Sequence, residues 1–313
     1  MKMTALQFRL RAALDNEAFD NLQYVDPQND RDALLTLLDI YELWLAPLDT
    51  VGDQARFQNQ PAITALKWRL EEWLVDYLDS RVGRPNLELG DVADAIRRIA
   101  RQAHDSIYDW IATSADWDQL VTFLAIEGGP DGGFDDLVAV AQVGLKGEPK
   151  VVLGANYWDE MGRGDPDGVH TTLHDRLVEA VGLQAPNVNE LPTSALYRSA
   201  LNGLLATNRH LQPEMLGALG LLELQAGQRC RRVLDALHRL GAPKDAYPFY
   251  EEHASTDPRH GKEWLEAALR PLVAEHPEWA QGMIRGARWR ADVNARLFRD
   301  LHTLVATREL QPA

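Results

Sequence analysis

No stretch of this 313-residue chain alternates apolar and polar residues with period two. Its long segments instead repeat apolar residues at i, i+3, i+4 and i+7. The clearest is AITALKWRLEEWLVDYLDSR, Ala62–Arg81, with Pro61 suited to the first helical position. A helical period without a strand period predicts an all-α protein of about nine to eleven helices. Breaks at VDPQND (25–30), GRPN (83–86), GGPDGG (128–133), KGEP (146–149) and RGDPDG (163–168) divide the chain. Asp30 is placed to cap a helix over Arg31–Leu45, and Asp91 one running to Ala112. Only FDDLVAVAQVGL, Phe134–Leu145, is rich enough in Val to admit a strand as well as a helix. The expected organisation is a core over 96–313 with an N-terminal helical extension, 1–95, packed on it.

Composition narrows the function. A net charge of −15 argues against a nucleic-acid partner. With Cys230 the sole cysteine, neither an internal disulfide nor a zinc site built from several thiolates is available. A reducing, cytoplasmic location is expected. There is no run of 18 apolar residues to span a membrane, and no signal peptide is expected from the first residues. Nine tryptophans are expected in the core or lining a pocket.

The chemistry-bearing stretch is EEHASTDPRHGKEW, Glu251–Trp264. On a helix, His260 lies about 20° from His253, and Asp257 about 40° from it. Three groups that bind transition metals then share one stripe. Upstream, Glu160 and His170 flank a glycine-rich break that lets a carboxylate and an imidazole meet from different turns. Glu127 ends an apolar helix just before a glycine loop. Three carboxylates (Glu127, Glu160, Asp257) and three imidazoles (His170, His253, His260) on a helical scaffold are the ligand types of paired iron or manganese.

These pieces, NYWDEMGRGDPDGVH and EEHASTDPRH, resemble the signatures of the iron-containing redox enzymes, the heme-oxygenase-like diiron oxidases and oxygenases. The family's E-x9-H falls on Glu160 and His170, and its H-x3-D-x2-H on His253, Asp257 and His260. The resemblance covers roughly residues 100–310. It implies a seven-helix heme-oxygenase-like core, two Fe(II)/Fe(III) ions without porphyrin, and O2 as co-substrate. It also implies N-oxygenation, C–C cleavage or desaturation of a small amine, amino-acid or fatty-acid-like substrate. An electron donor and a homodimer are the further partners expected. The remaining family ligand, a glutamate on the preceding helix, matches Glu127, with Asp135 or Asp136 as the alternative. Pro258 breaks the pattern locally, since proline removes a helical hydrogen bond and Asp257-Pro258 suits a helix start. Asp257 is therefore read as either ligand or cap.

Other residues carry plainer readings. His174, one turn from His170, is expected to be ordinary or to support a ligand, and His104 to be structural. Tyr157 and Trp158 are placed in the core or the pocket. Glu223, a carboxylate among leucines in GLLELQAG, needs a partner: Arg229, Arg231 or a ligand histidine. Arg163 reads as a substrate-carboxylate clamp or, more simply, an ion pair. Two alternatives compete with the diiron enzyme. A heme-binding or cofactorless relative would need no carboxylate set. A structural or single-metal protein would use the same cluster, for example for zinc, without O2 chemistry.

Overall fold

The computed structural model describes residues 5–83, 91–103, 106–128, 133–184 and 186–307. His104 lies outside them, as do parts of the breaks at 83–86 and 128–133. The described residues form fifteen α-helices: α1 (Ala5–Asn16), α2 (Asp30–Leu45), α3 (Leu48–Val51), α4 (Pro61–Val82), α5 (Val92–Gln102), α6 (Ser106–Thr113), α7 (Trp117–Glu127), α8 (Phe134–Ala141), α9 (Gly147–Glu160), α10 (His170–Val181), α11 (Thr193–Thr207), α12 (Gln212–Arg239), α13 (Pro248–Glu263), α14 (Arg270–Glu275) and α15 (Trp279–Thr307). No strand occurs among them; a single antiparallel bridge joins Met161 and Val169. The count exceeds nine to eleven because short turns such as α3 and α14 form helices of their own. The valine-rich 134–141 segment is helix, not strand. Asn29, not Asp30, caps α2, its side chain accepting from the amide of Asp32. The helix expected from Asp91 to Ala112 is two helices, α5 and α6, with Asp91 capping the first. No helix among the described residues is long and apolar enough to cross a membrane.

The helices group into two compact units, Met1–Gly83 with Asn187–Arg209, and Arg84–Pro186 with His210–Ala313. In the first, buried Asp32 accepts the amides of Leu6 and Gln7, satisfying the open N–H groups at the start of α1. α11 belongs here because Gly203 lets it press on the ring of Tyr41 in α2; a Cβ there would lie 2.1 Å from the Tyr41 ring. Arg31 adds hydrogen bonds to the carbonyls of Leu191 and Asn189.

The second unit is organised on α12, which packs against α5, α6, α13 and α15. Glycines make the crossings close. A Cβ on Gly217 would sit 1.8 Å from the carbonyl oxygen of Met283 on α15. One on Gly227 would meet the Pro258 ring of α13 at 2.7 Å, and one on Gly261 the Cα of Leu224 at 2.7 Å. Backbones can approach like this only where no side chain intervenes. Trp264 and Trp289 are fully buried in this core, but Trp44, Trp68 and Trp158 are exposed, so the tryptophans are not uniformly interior.

α13 runs unbroken through Pro258, and Asp257 lies inside the helix without starting a new one. Pro258 cannot donate to the carbonyl of Ala254, four residues back. The guanidinium of Arg231 on α12 donates to that carbonyl instead, at 3.0 Å. The freed acceptor is thereby satisfied, and the helix continues. A π-helical stretch, Trp264–Leu269, then leads into α14.

Candidate metal centre

The spacing of Glu160 and His170 has a direct structural cause. Met161 and Val169 pair in the antiparallel bridge, so the residues just outside it, 160 and 170, emerge side by side. Between them the chain turns tightly at Gly162 (φ +62°), where a Cβ would lie 2.5 Å from the carbonyl carbon of Gly168. Glu160 closes α9 and His170 opens α10, both buried. His170 Nδ1 lies 2.5 Å from Glu160 Oε2, yet the atoms are not aligned as a hydrogen bond.

Two ligand groups form among the described residues. Glu160, His170 and His253 offer atoms all within 4.8 Å of one another, and so do Glu160, Glu223 and His260. Glu160 is common to both. His253 and His260 share the predicted stripe, but seven residues separate them along the axis, about 10 Å of rise. That separation is why each joins a different group. Asp257 lies between them on α13; its Oδ1 is 3.7 Å from His260 Nδ1.

The surrounding contacts orient the imidazoles. His253 Nδ1 is 2.7 Å from the carbonyl of Phe249, which places its proton there and leaves Nε2 as a base. The rings of His170 and His253 approach to 4.4 Å. His260 Nδ1 is 3.7 Å from Glu223 Oε2, and Nε2 is 2.8 Å from Asp159. Asn156 of α9 donates to Glu223 Oε1 at 3.0 Å.

Charges confirm how tightly the carboxylates crowd. Burial, then the charges of Asp257 and Glu160, push the Glu223 carboxyl well above its ordinary range. Burial alone would lower the pKa of His260, but the neighbouring carboxylates of Asp257, Glu223 and Asp159 outweigh it and raise it to about 9. Burial also opposes charging of His170, and Glu160 above all overcomes it, raising that pKa.

The donor set fits metal ions. His170 Nδ1, His260 Nδ1, Glu223 Oε2 and Asp257 Oδ2 are buried without a hydrogen-bond partner in the protein. Leaving each of several such atoms unsatisfied costs about 1–3 kcal/mol, and more for charged groups. Imidazole and carboxylate together suit iron or manganese.

The expected ligands do not all converge. Glu127 closes α7, and its Oε1 accepts from the hydroxyl of Tyr108 at 2.8 Å; it belongs to neither group. Asp135 lies in the first turn of α8, its carboxyl pushed up by burial, then by Asp136 and Glu160, but neither Asp135 nor Asp136 joins a group. Glu223 is the further carboxylate of the second candidate group. Its expected arginine partners are elsewhere: Arg231 holds the Ala254 carbonyl, and Arg229 lies over the rings of Tyr108 and Phe298. The available signal was that solitary carboxylate between Gly220 and Gly227, where α12 approaches other backbones. His174 packs edge-on against Phe249. Trp158 is 55% exposed and covers Gly164, so it belongs to neither core nor metal groups. Arg163 makes ion pairs, to Glu252 at 2.9 Å and Asp159 at 3.4 Å.

Fold and site together define an all-helical, heme-oxygenase-like protein with a candidate carboxylate–histidine metal centre. Over residues 128–295, more than half its length, the chain matches the family of iron-containing redox enzymes, and it belongs to that family. A segment of 134 residues is 30% identical to the nitrosourea synthase of Streptomyces achromogenes subsp. streptozoticus; it covers 40% of this chain and 28% of that protein. A CADD-like protein of unknown function from Nostoc punctiforme has a similar fold, with a TM-score of 0.51 and 17% identity over 78% of this chain and 99% of that one.

Proposed function

We propose that this protein is a non-heme diiron, O2-dependent oxidoreductase acting on a small nitrogen-bearing metabolite, an amine or amino acid. The observation that carries the two-ion reading is the pair of ligand groups sharing Glu160. One ion would be held by Glu160, His170 and His253, and the other by Glu160, Glu223 and His260 with Asp257 beside them. Three carboxylates offset most of the charge of two divalent ions. Bound iron would supply the electrons and open coordination positions that O2 chemistry requires.

The chain's own residues hold and shape this centre. Asn156 fixes one oxygen of Glu223 and leaves the other facing His260. The Phe249 carbonyl fixes the ring of His253. Burial of Glu160, Glu223, Asp257 and His260 keeps bulk water from the groups that bind the ions. A relative named for making a nitrosourea supports a nitrogen-bearing substrate, with N-oxygenation ahead of C–C cleavage or desaturation.

The test is anaerobic loading with Fe(II), metal analysis, and O2 uptake with a panel of amines, amino acids, ureas and fatty acids. Two irons per chain and O2 uptake stimulated by a nitrogen-bearing compound are expected. One tightly held zinc and no O2 uptake with any compound would overturn the reading in favour of a single-metal site.

A further inference from the structure

We infer that Asp159, the residue before Glu160, is a positioning residue that selects Nδ1 of His260 as its metal-binding atom. The inference rests on the two-ion reading above and concerns the second ion. Asp159 is buried in the last turn of α9, and its Oδ2 lies 2.8 Å from His260 Nε2. Arg259 donates to the same Oδ2 at 2.5 Å, and the same nitrogen lies farther off, 3.2 Å, from His260 Nε2. Arg163 reaches Oδ1 at 3.4 Å while pairing with Glu252 at 2.9 Å, and Glu252 accepts from the Thr256 hydroxyl at 2.9 Å. The carboxylate is thus held between two guanidiniums, one of them anchored to α13.

An ionised carboxylate only accepts hydrogen bonds, so the proton between Asp159 and His260 belongs to Nε2. The lone pair of the neutral ring is then on Nδ1. That atom faces Glu223 Oε2 and Asp257 Oδ1, each 3.7 Å away, and has no hydrogen-bond partner of its own. His253 is arranged the opposite way, with Nδ1 on the Phe249 carbonyl and Nε2 available. Two histidines on one stripe of α13 therefore present different nitrogens, and Asp159 makes the difference. Partners of this kind, behind a ligand, typically contribute 10–100-fold in metal affinity.

Asp159→Leu keeps the size of the side chain but removes the acceptor, which asparagine would retain because Arg259 and His260 share one oxygen. Once the carboxylate is gone, the Arg259 guanidinium, 3.2 Å from His260 Nε2, donates to that nitrogen and drives the proton onto Nδ1. In anaerobic Fe(II) titrations followed by Mössbauer spectroscopy, the second ion should bind 10–100-fold more weakly than in the unsubstituted protein, with the first unchanged. Asp159→Glu, which retains the carboxylate, should recover most of that loss. Independently of how the variants fold, 15N spectra of histidine-labelled, Zn(II)-loaded unsubstituted protein should show His260 protonated at Nε2 and coordinated at Nδ1. The inference is overturned if Asp159→Leu binds both ions normally, if both ions weaken equally, or if Nδ1 carries the proton. An unsubstituted protein that takes fewer than two irons would instead defeat the two-ion reading.

Discussion

Replacing Gly261 by alanine should remove one iron and spare the other. The added methyl would lie 2.7 Å from Leu224 Cα, 2.9 Å from its nitrogen and 3.0 Å from the carbonyl carbon of Glu223. All are backbone atoms of α12, which cannot swing aside as a side chain would. Ordinary carbon contacts are about 3.5–4.0 Å, so α12 and α13 must separate by about 0.8–1.3 Å. Glu223 Oε2 and His260 Nδ1, now 3.7 Å apart, would then lie about 4.5–5.0 Å apart. Two atoms bound to one first-row ion, each at about 2.1 Å, are at most about 4.2 Å apart. The second group therefore opens, while Glu160, His170 and His253 keep their contacts. Overpacking of this kind should cost about 1–3 kcal/mol of stability. Anaerobic iron titration with chemical unfolding measures both effects. Gly154→Ala is the control: its methyl meets Gln142 Oε1 at an ordinary 3.6 Å, and alanine is the better helix former. A folded Gly261→Ala protein that binds two irons as tightly as the parent would refute the argument.

Other perturbations test separate links. Gly162→Ala forces a side chain into a left-handed turn and against the Gly168 backbone, so it should destabilise the fold by about 1–3 kcal/mol and weaken iron binding throughout, since both candidate groups include Glu160; thermal melting and iron titration report this. Arg231→Met leaves the Ala254 carbonyl without its donor, and a loss of about 1–3 kcal/mol should appear in urea unfolding, unless Pro258 replaced by alanine restores the helical bond and most of the stability. The pH dependence of iron-free protein follows from His260, whose pKa rises on folding to about 9. Its stabilising contribution is complete below the unfolded value of about 6.5 and is lost as pH rises toward 9. After discounting for solvent screening this amounts to about 2 kcal/mol. Glu223, also raised on folding, acts in the same direction as pH rises through its folded pKa. Chelator-treated protein should therefore have a lower urea midpoint at pH 9 than at pH 6.5, while iron affinity should increase over the same range because its ligands must shed protons.

What could be read from the sequence was what local spacing determines. The all-α class follows from the apolar period, and Glu160 with His170 from a short turn whose ends a single bridge brings together. His253, Asp257 and His260 follow from helical geometry on one segment. What could not be read depends on segments far apart in the chain. Glu223 matters only through the register of α12 against α13, set by close contacts at Gly227 and Gly261. The continuity of α13 through Pro258 depends on a guanidinium from another helix. Glu127, at the end of an apolar helix, looked suited to a ligand, but Tyr108 on α6 holds its carboxylate.

The sharing of Glu160 is tested most directly by counting bound iron in the unsubstituted protein beside Glu223→Ala and Glu160→Ala. Anaerobic titration with Fe(II), quantified by Mössbauer spectroscopy, should give two, one and no tightly bound ions per chain, respectively. A single ion in the parent, retained when Glu223 is removed, would contradict a centre built on one carboxylate between two irons.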